Sequence, residues 1–308
     1  MAVPRPKMRF IDIGANLTDP MFRGVYMDKQ THQPDLSAVL NRAYNAGLTK
    51  IMITGGNLDD TKEALKMTTQ DARLYTTAGV HPTRCTEFLE KFDSETKYFD
   101  ELRAVIKEGK DKIVAIGEFG LDYDRLNFCP VNVQKEYFEK QFVLAEEFKL
   151  PLFLHMRNAA QDFAEIVSRN RHRFSRGVVH SFTGTAQEAT DMINLDLFIG
   201  FNGCSLKTEQ NLDVVKHVPV ERIMIETDAP WCDIRSTHAG FKFVDFKLPQ
   251  VDKKKWKPDT LVKGRNEPCN IVQVLEVIAK CKEMDPQELS EQIYKNTCSV
   301  FFPQELSS

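Results

Sequence analysis

Four short apolar runs in this 308-residue chain each stop at a side chain that can hold a divalent cation: IVAIG leads to Glu118, LFL to His155, VV to His180 and IMIET to Asp228. A β-rich apolar run ending on a lone carboxylate or imidazole has the form of a buried parallel strand whose last side chain leaves the packed sheet and enters an active-site mouth. One such ending describes a hydrogen-bonded core histidine as well as it describes a ligand. The series Glu, His, His, Asp is harder to explain by packing. Its oxygen and nitrogen donors suit Zn, Mn or Mg and leave coordination positions for water and substrate. The residues alone therefore point to a metal-dependent hydrolase.

Strand-like and helix-like segments alternate about eight times along the chain. The expected strands are Arg9 to Ile13, Lys50 to Thr54, Leu74 to Gly79, Ile113 to Glu118, Leu152 to His155, Gly177 to His180, Leu197 to Gly200 and Arg222 to Glu226. Each is short and rich in Ile, Val, Leu or Phe, as strands covered on both faces are. The intervening segments read as helices. Asp35 to Ala46 starts on an aspartate placed to cap it and stops at Gly47; Val133 to Phe148, Thr185 to Asn194, Glu267 to Lys282 and Pro286 to Val300 show the same apolar spacing. Ligands from non-neighbouring strands must converge on one point, which a closed ring of strands achieves and an open doubly wound sheet does not. The expectation is an α/β fold, a distorted TIM (β/α)8 barrel forming one domain over residues 1–308.

Composition fits this reading. No Pro/Gly/Ser-rich linker divides the chain, and 42% hydrophobic with 28% charged residues describes a globular protein with a large core. The seven cysteines, Cys85, Cys129, Cys204, Cys232, Cys269, Cys281 and Cys298, are scattered and never form C-x-x-C, so neither a disulfide framework nor a structural zinc site is signalled. A reducing intracellular location, nuclear or cytoplasmic, is the expectation. The segment MAVPRPKMRF lacks an apolar signal core, and no run approaches the length of a membrane span, so neither export nor insertion is expected. With a formal net charge of −3, no global positive field draws the protein to nucleic acid or anionic lipid.

The segments FIDIGANLTD, GVHP, IGEFGLDYDR, FLHMR, VVHSFTG, IGFNG, IETDAPW and RNEP, in order from Phe10 to Pro268, resemble the TatD deoxyribonuclease family of amidohydrolase-like metal-dependent hydrolases, in particular its eukaryotic branch. The resemblance implies a distorted TIM barrel, one or two divalent metals and hydrolysis of DNA phosphodiester bonds. The implied action is 3′ to 5′ exonucleolytic, endonucleolytic or both, with single-stranded DNA favoured. No membrane and no obligate protein partner is implied.

By the same resemblance Glu118 is a metal ligand able to bridge two ions, His155 and His180 complete the better-formed site, and Asp228 is a ligand and general base. His81, in GVHP, contacts a second ion or the scissile phosphate. Arg157 can clamp phosphate through its planar fork of donors. Where many members of the wider superfamily carry histidines after the first strand, this chain has Asp12, Gly14 and Asn16. Asp12 is then either a further ligand or a hydrogen-bonding residue. A site poor in histidine there favours Mg or Mn, with Zn the alternative.

The connection spanning residues 233–265 carries nine Lys or Arg against four Asp, with Phe241, Phe243, Phe246 and Trp256 interleaved. It reads as a basic, aromatic insertion on the catalytic face. Lysines there can follow a phosphate backbone while rings stack bases. Lys254, Trp256 and Arg265 are the strand-holding candidates, and a solvated lysine run over core phenylalanines is the competing reading. Two other functions stay open at this point: an amidohydrolase-type enzyme acting on a small ester, amide or lactone, and a nucleic-acid-binding adaptor with a degraded site. The intact Glu118, His155, His180 and Asp228 set weighs against the adaptor.

Overall fold

The computed structural model describes residues 8–306. Eight parallel strands, hydrogen-bonded in sequence order, form the central sheet. They are β1 (Phe10–Ala15), β2 (Leu48–Ile53), β3 (Leu74–Ala78), β4 (Ile113–Asp122), β5 (Leu152–Arg157), β6 (Gly177–His180), β7 (Leu197–Phe201) and β8 (Ile223–Ile225). The sheet curls into a nearly closed TIM-type barrel in a single α/β domain. Between the strands run α1 (Leu36–Ala46), α2 (Leu58–Thr68), α3 (Glu95–Glu108), α4 (Val131–Phe148), α5 (Ala160–Asn170), α6 (Ala186–Asn194) and α7 (Glu209–His217). Two further helices, α8 (Ile271–Lys282) and α9 (Pro286–Phe301), follow the last strand and its long connection.

Alternation along the strands sorts the apolar residues into two packed sets. Ile11, Ile13, Met52, Ala115, Phe153, Val178, Phe198 and Met224 fill the lumen, together with Tyr294, Cys298, Phe301 and Phe302 from the end of α9 and just beyond it. The opposite faces pack against the helices in a larger cluster that includes Phe119, Phe138, Phe142 and Phe163. Each fully buried aliphatic or aromatic side chain here contributes roughly 1.5–3 kcal/mol of burial. The lumen is thus solid below its C-terminal mouth. Only the last inward-facing residues of the strands are free to do chemistry.

Four strands extend beyond their expected ends: β1 runs to Ala15, β4 to Asp122, β5 to Arg157 and β7 to Phe201. Helix α1 begins after Asp35 as expected, but the Asp35 side chain makes no capping bond. Its two oxygens instead accept from Arg265 at 2.7 Å each, and one also accepts from Trp256 Nε1 at 2.9 Å. The charge of a guanidinium outweighs a single backbone donor in the competition for that carboxylate.

Candidate metal centre

Parity along the strands explains which side chains reach the mouth. Phe153 and Val178 face the lumen, so His155 and His180, two residues further along β5 and β6, crown it. On β4, Glu118 and Asp122 are separated by Gly120, whose φ of +151° and close approach to the His155 backbone exclude any side chain. Met224 faces the lumen, and two residues later Glu226 enters the mouth just after β8.

These groups meet closely. Glu118 Oε1 lies 2.7 Å from His155 Nδ1, 2.6 Å from His180 Nε2 and 3.6 Å from His81 Nε2. His155 Nε2 is 3.3 Å from Asp122 Oδ2. Two donor sets result, Glu118 with His155 and His180, and His81 with Asp122 and His155, the ligand atoms of each lying within 4.8 Å of one another. They share His155. A neutral imidazole has one lone-pair nitrogen, so His155 can serve only one of the two sets at a time.

The electrostatics follow from burial and crowding. Burial alone would raise the Glu118 carboxyl, but the charge of His180 and the hydrogen bonds of His155 and His180 hold it well below the usual carboxylate range. His180 is driven the other way: burial lowers its affinity for a proton, and the Glu118 and Glu226 carboxylates more than reverse this. Burial pushes His81 down to about 3 despite the nearby Glu118 charge, so its ring is neutral. Its Nδ1 accepts the Thr83 backbone N–H at 3.1 Å, which leaves Nε2 to carry the proton and point toward Glu118. Asp228 is pushed up to about 6, by burial first and then by the Glu226 charge.

The donor set suits a divalent cation. His180 Nδ1 and Glu226 Oε2 lie 3.3 Å apart, both buried, yet without hydrogen-bond alignment. A buried polar pair left unfinished is costly unless it serves to orient the ring, and a carboxylate behind an imidazole is the usual support of a metal-binding histidine. The other Glu226 oxygen accepts from the Ser181 backbone N–H at 2.5 Å and from Asn202 Nδ2 at 3.2 Å, which fixes the carboxylate in place. Room for it comes from Gly14, where a Cβ would lie 2.6 Å from Glu226 Oε2.

The remaining candidates are placed as follows. Asp228 belongs to neither donor set. Its Oδ1 accepts from Asn16 Nδ2 at 2.9 Å and its Oδ2 from the Cys232 thiol at 3.2 Å, so Asn16 is a donor that orients Asp228. Cys232 in turn touches Cys204, with Sγ atoms 2.9 Å apart. Arg157 donates to Thr183 Oγ1 at 2.9 Å and lines an open cleft of about 810 Å3.

Asp12 is corrected from metal ligand to structural group. It falls between the lumen-facing Ile11 and Ile13 and so points away from the mouth, where it accepts from Gly14 N, Thr227 N and Thr227 Oγ1. Two strand-holding candidates are also corrected. Trp256 donates to Asp35 and stacks one face on His32, with planes 3° apart and centroids at 5.3 Å, so its polar edge and that face are committed within the chain. Arg265 is fully buried, paired at 2.7 Å with both Asp35 and Glu267. Lys254 remains exposed on a short turn capped by Asp252. Conversely, the sequence reading did not single out Asp122 or Glu226. The available signal was period-two spacing, Glu118 to Asp122 on one strand and Met224 to Glu226 on another.

Comparison with known proteins agrees with this geometry. Residues 11–302 match the family described as TatD related DNase. A deoxyribonuclease Tat-D of Schizosaccharomyces pombe is 46% identical over 298 residues, covering 95% of this chain and 96% of that protein. A 3′-5′ ssDNA/RNA exonuclease TatD of Enterobacter lignolyticus is 31% identical over 293 residues, covering 94% of this chain and 98% of its own. Among solved structures, a hydrolase TatD family protein from Entamoeba histolytica superposes with a TM-score of 0.91 at 37% identity, over 96% of this chain and 99% of that one. With the match running from the first strand of the barrel to its last helix, the chain belongs to the TatD-related DNase family.

Proposed function

We propose that this protein is a divalent-metal-dependent deoxyribonuclease that hydrolyses phosphodiester bonds of single-stranded DNA. The observation that carries the reading is the convergence of His81, Glu118, Asp122, His155 and His180 at the mouth of the barrel, within a family whose relatives are named deoxyribonucleases. Glu118, His155 and His180 would hold the first cation. Asp122 and Asp228 are the carboxylates available to a second, with Mg or Mn favoured by an oxygen-rich set. A bound cation supplies positive charge to the phosphoryl oxygens and lowers the pKa of water.

The chain's own residues do the rest. Asp228, with Asn16 and Cys232 fixing its two oxygens, accepts the proton of the attacking water, and its raised pKa suits that task near neutral pH. His81, neutral and protonated on Nε2, donates to a phosphoryl oxygen. Arg157 adds fixed positive charge beside the mouth. Glu226 keeps the His180 ring in place. An intracellular site of action, nuclear or cytoplasmic, belongs to the same proposal and is supported by seven free cysteines.

The deciding experiment is cleavage of end-labelled single-stranded and duplex DNA by purified protein, after EDTA treatment and after addition of Mg, Mn or Zn. Metal-restored cleavage with single strands preferred is the expected result. Strong DNA binding without cleavage under any metal would overturn it.

A further inference from the structure

Phe128 and Trp231 are the two aromatic side chains left exposed among the described residues, at 62% and 49%. They lie on one groove of about 800 Å3, together with Thr83, Arg84, Arg125, Glu87 and Glu90. Neither ring stacks on a ring of its own chain, unlike Trp256. Exposing two large rings is unfavourable by the usual burial energetics. The charged side chains of the groove balance, two arginines against two glutamates, so the unpaired rings are its distinguishing feature and fit a planar occupant, with the arginines able to meet an anionic group beside it.

The groove is joined to the metal centre on three sides. Thr83 binds His81 through both its hydroxyl, 2.7 Å from Nδ1, and its backbone N–H. Arg125 Nη1 lies 3.4 Å from Asp122 Oδ2, and the Phe128 backbone N–H donates to the Arg125 carbonyl at 3.1 Å. The Trp231 backbone N–H donates to the Asp228 carbonyl at 2.9 Å. The loops that carry His81, Asp122 and Asp228 therefore each also carry a groove residue. Both guanidinium groups are more than half exposed, within reach of a backbone phosphate.

We propose that the groove of Phe128 and Trp231 is a nucleobase-stacking subsite that holds the unpaired bases beside the scissile phosphate, while Arg84 and Arg125 contact the adjoining backbone. The inference rests on the deoxyribonuclease reading above. It moves strand holding from the lysine-rich connection to the loops after β3, β4 and β8. Stacking between rings accepts every base but needs bases free of a duplex, so this subsite favours single strands without reading sequence.

The test measures affinity and cleavage of a fluorescently labelled single-stranded oligonucleotide by the metal-loaded full chain. Trp231→Ala and Phe128→Ala should each weaken binding roughly 5- to 150-fold, the range found for loss of one base–aromatic stack. Trp231→Phe should recover most of the affinity, which a purely structural role of the indole would not predict. The fold loss should shrink on an oligonucleotide that lacks bases beside the cleaved bond, because the stacking partner is then missing from the DNA. Arg84→Gln with Arg125→Gln should flatten the salt dependence by about 0.7 in log–log slope per lost phosphate contact. Wild-type affinity in both alanine variants, or equal losses on normal and base-free DNA, would overturn the subsite. Failure of wild-type protein to cleave any DNA would instead sink the deoxyribonuclease reading, so the two failures are distinct.

Discussion

The carboxylate of Asp12 accepts the hydroxyl of Thr227 at 2.6 Å and the Thr227 backbone N–H at 3.0 Å, joining the first barrel strand to the segment just beyond the last. No strand ladder connects β1 and β8 among the described residues. Closure at this seam depends on Asp12 and on two backbone bonds further along, Asp228 N–H to the Gly14 carbonyl and Asn16 N–H to the Ala229 carbonyl. Asp12→Ala strands the buried Thr227 donors and should cost about 1–3 kcal/mol for each group left unpaired. Urea denaturation would register the loss; unchanged stability would show that the seam does not need this carboxylate.

The same residue gives a pH signature. Burial pushes the Asp12 carboxyl from 3.8 up to about 8, against the three donors that favour its charged form. A carboxyl raised in the folded state contributes stability that is complete below its unfolded pKa and is lost as pH rises through the folded value. Wild-type stability should therefore decline from this source between about pH 4 and pH 8. Asp12→Asn should flatten that part of the profile in pH-dependent melting, and an identical slope in both proteins would refute the assignment.

Metal should stabilise as well as activate. A cation that binds only the folded chain adds about 2.7 kcal/mol when present at 100 times its dissociation constant. EDTA should lower the melting temperature and abolish DNA hydrolysis, and Mg or Mn should restore both. Glu226→Gln, which weakens the support behind His180, should reduce metal affinity by about 10- to 100-fold while the barrel stays folded. Isothermal titration and circular dichroism together check the two halves of that statement.

Asp228→Asn should lower kcat by about 10²- to 10⁴-fold at saturating metal, as expected for loss of a general base. Arg157→Ala should act more on KM, since its charge is present for ground state and transition state alike. Steady-state kinetics on a short single-stranded substrate separate the two, and equal mild effects would contradict both roles.

For Trp256 in the lysine-rich connection the structure gives a packing role in place of the base-stacking one. Trp256→Ala should reduce stability, by losing the bond to Asp35 and the stack on His32, and leave DNA affinity near wild type. A thermal melt beside a DNA titration distinguishes this from a base-stacking tryptophan, which would show the opposite pattern.

The barrel and its strand-end histidines were legible because period-two burial imposes a strict pattern on short buried strands. Asp122 escaped because the apolar run IVAIG ends well before β4 does, and Gly120 interrupts the period-two pattern that continues past Glu118. Glu226 escaped because Asp228 stands closer to the turn and looks more exposed. Trp256 and Arg265 were misread for a different reason. Their partner, Asp35, lies 221 and 230 positions away along the chain, and a long-range ion pair leaves no periodic trace. Residue type gave the chemistry of a tryptophan and an arginine correctly, but not the direction in which they face.

Arg265, Asp35 and Glu267 tie the end of the long connection to the start of α1, and Arg42 of that helix pairs with Glu267 at 2.8 Å. These ion pairs cross the side of the molecule where β1 and β8 lack a ladder, so the connection works as a buckle on an otherwise open belt. The fracture line of the barrel lies there. When the buckle releases, the amides of Asn16, Thr227 and Asp228 lose their partners together, and hydrogen exchange should find them opening as one unit ahead of the strands β4 to β6. Since Asp228 is also the proton acceptor in the proposed reaction, the edge of the barrel that lacks a strand ladder is one wall of its catalytic mouth.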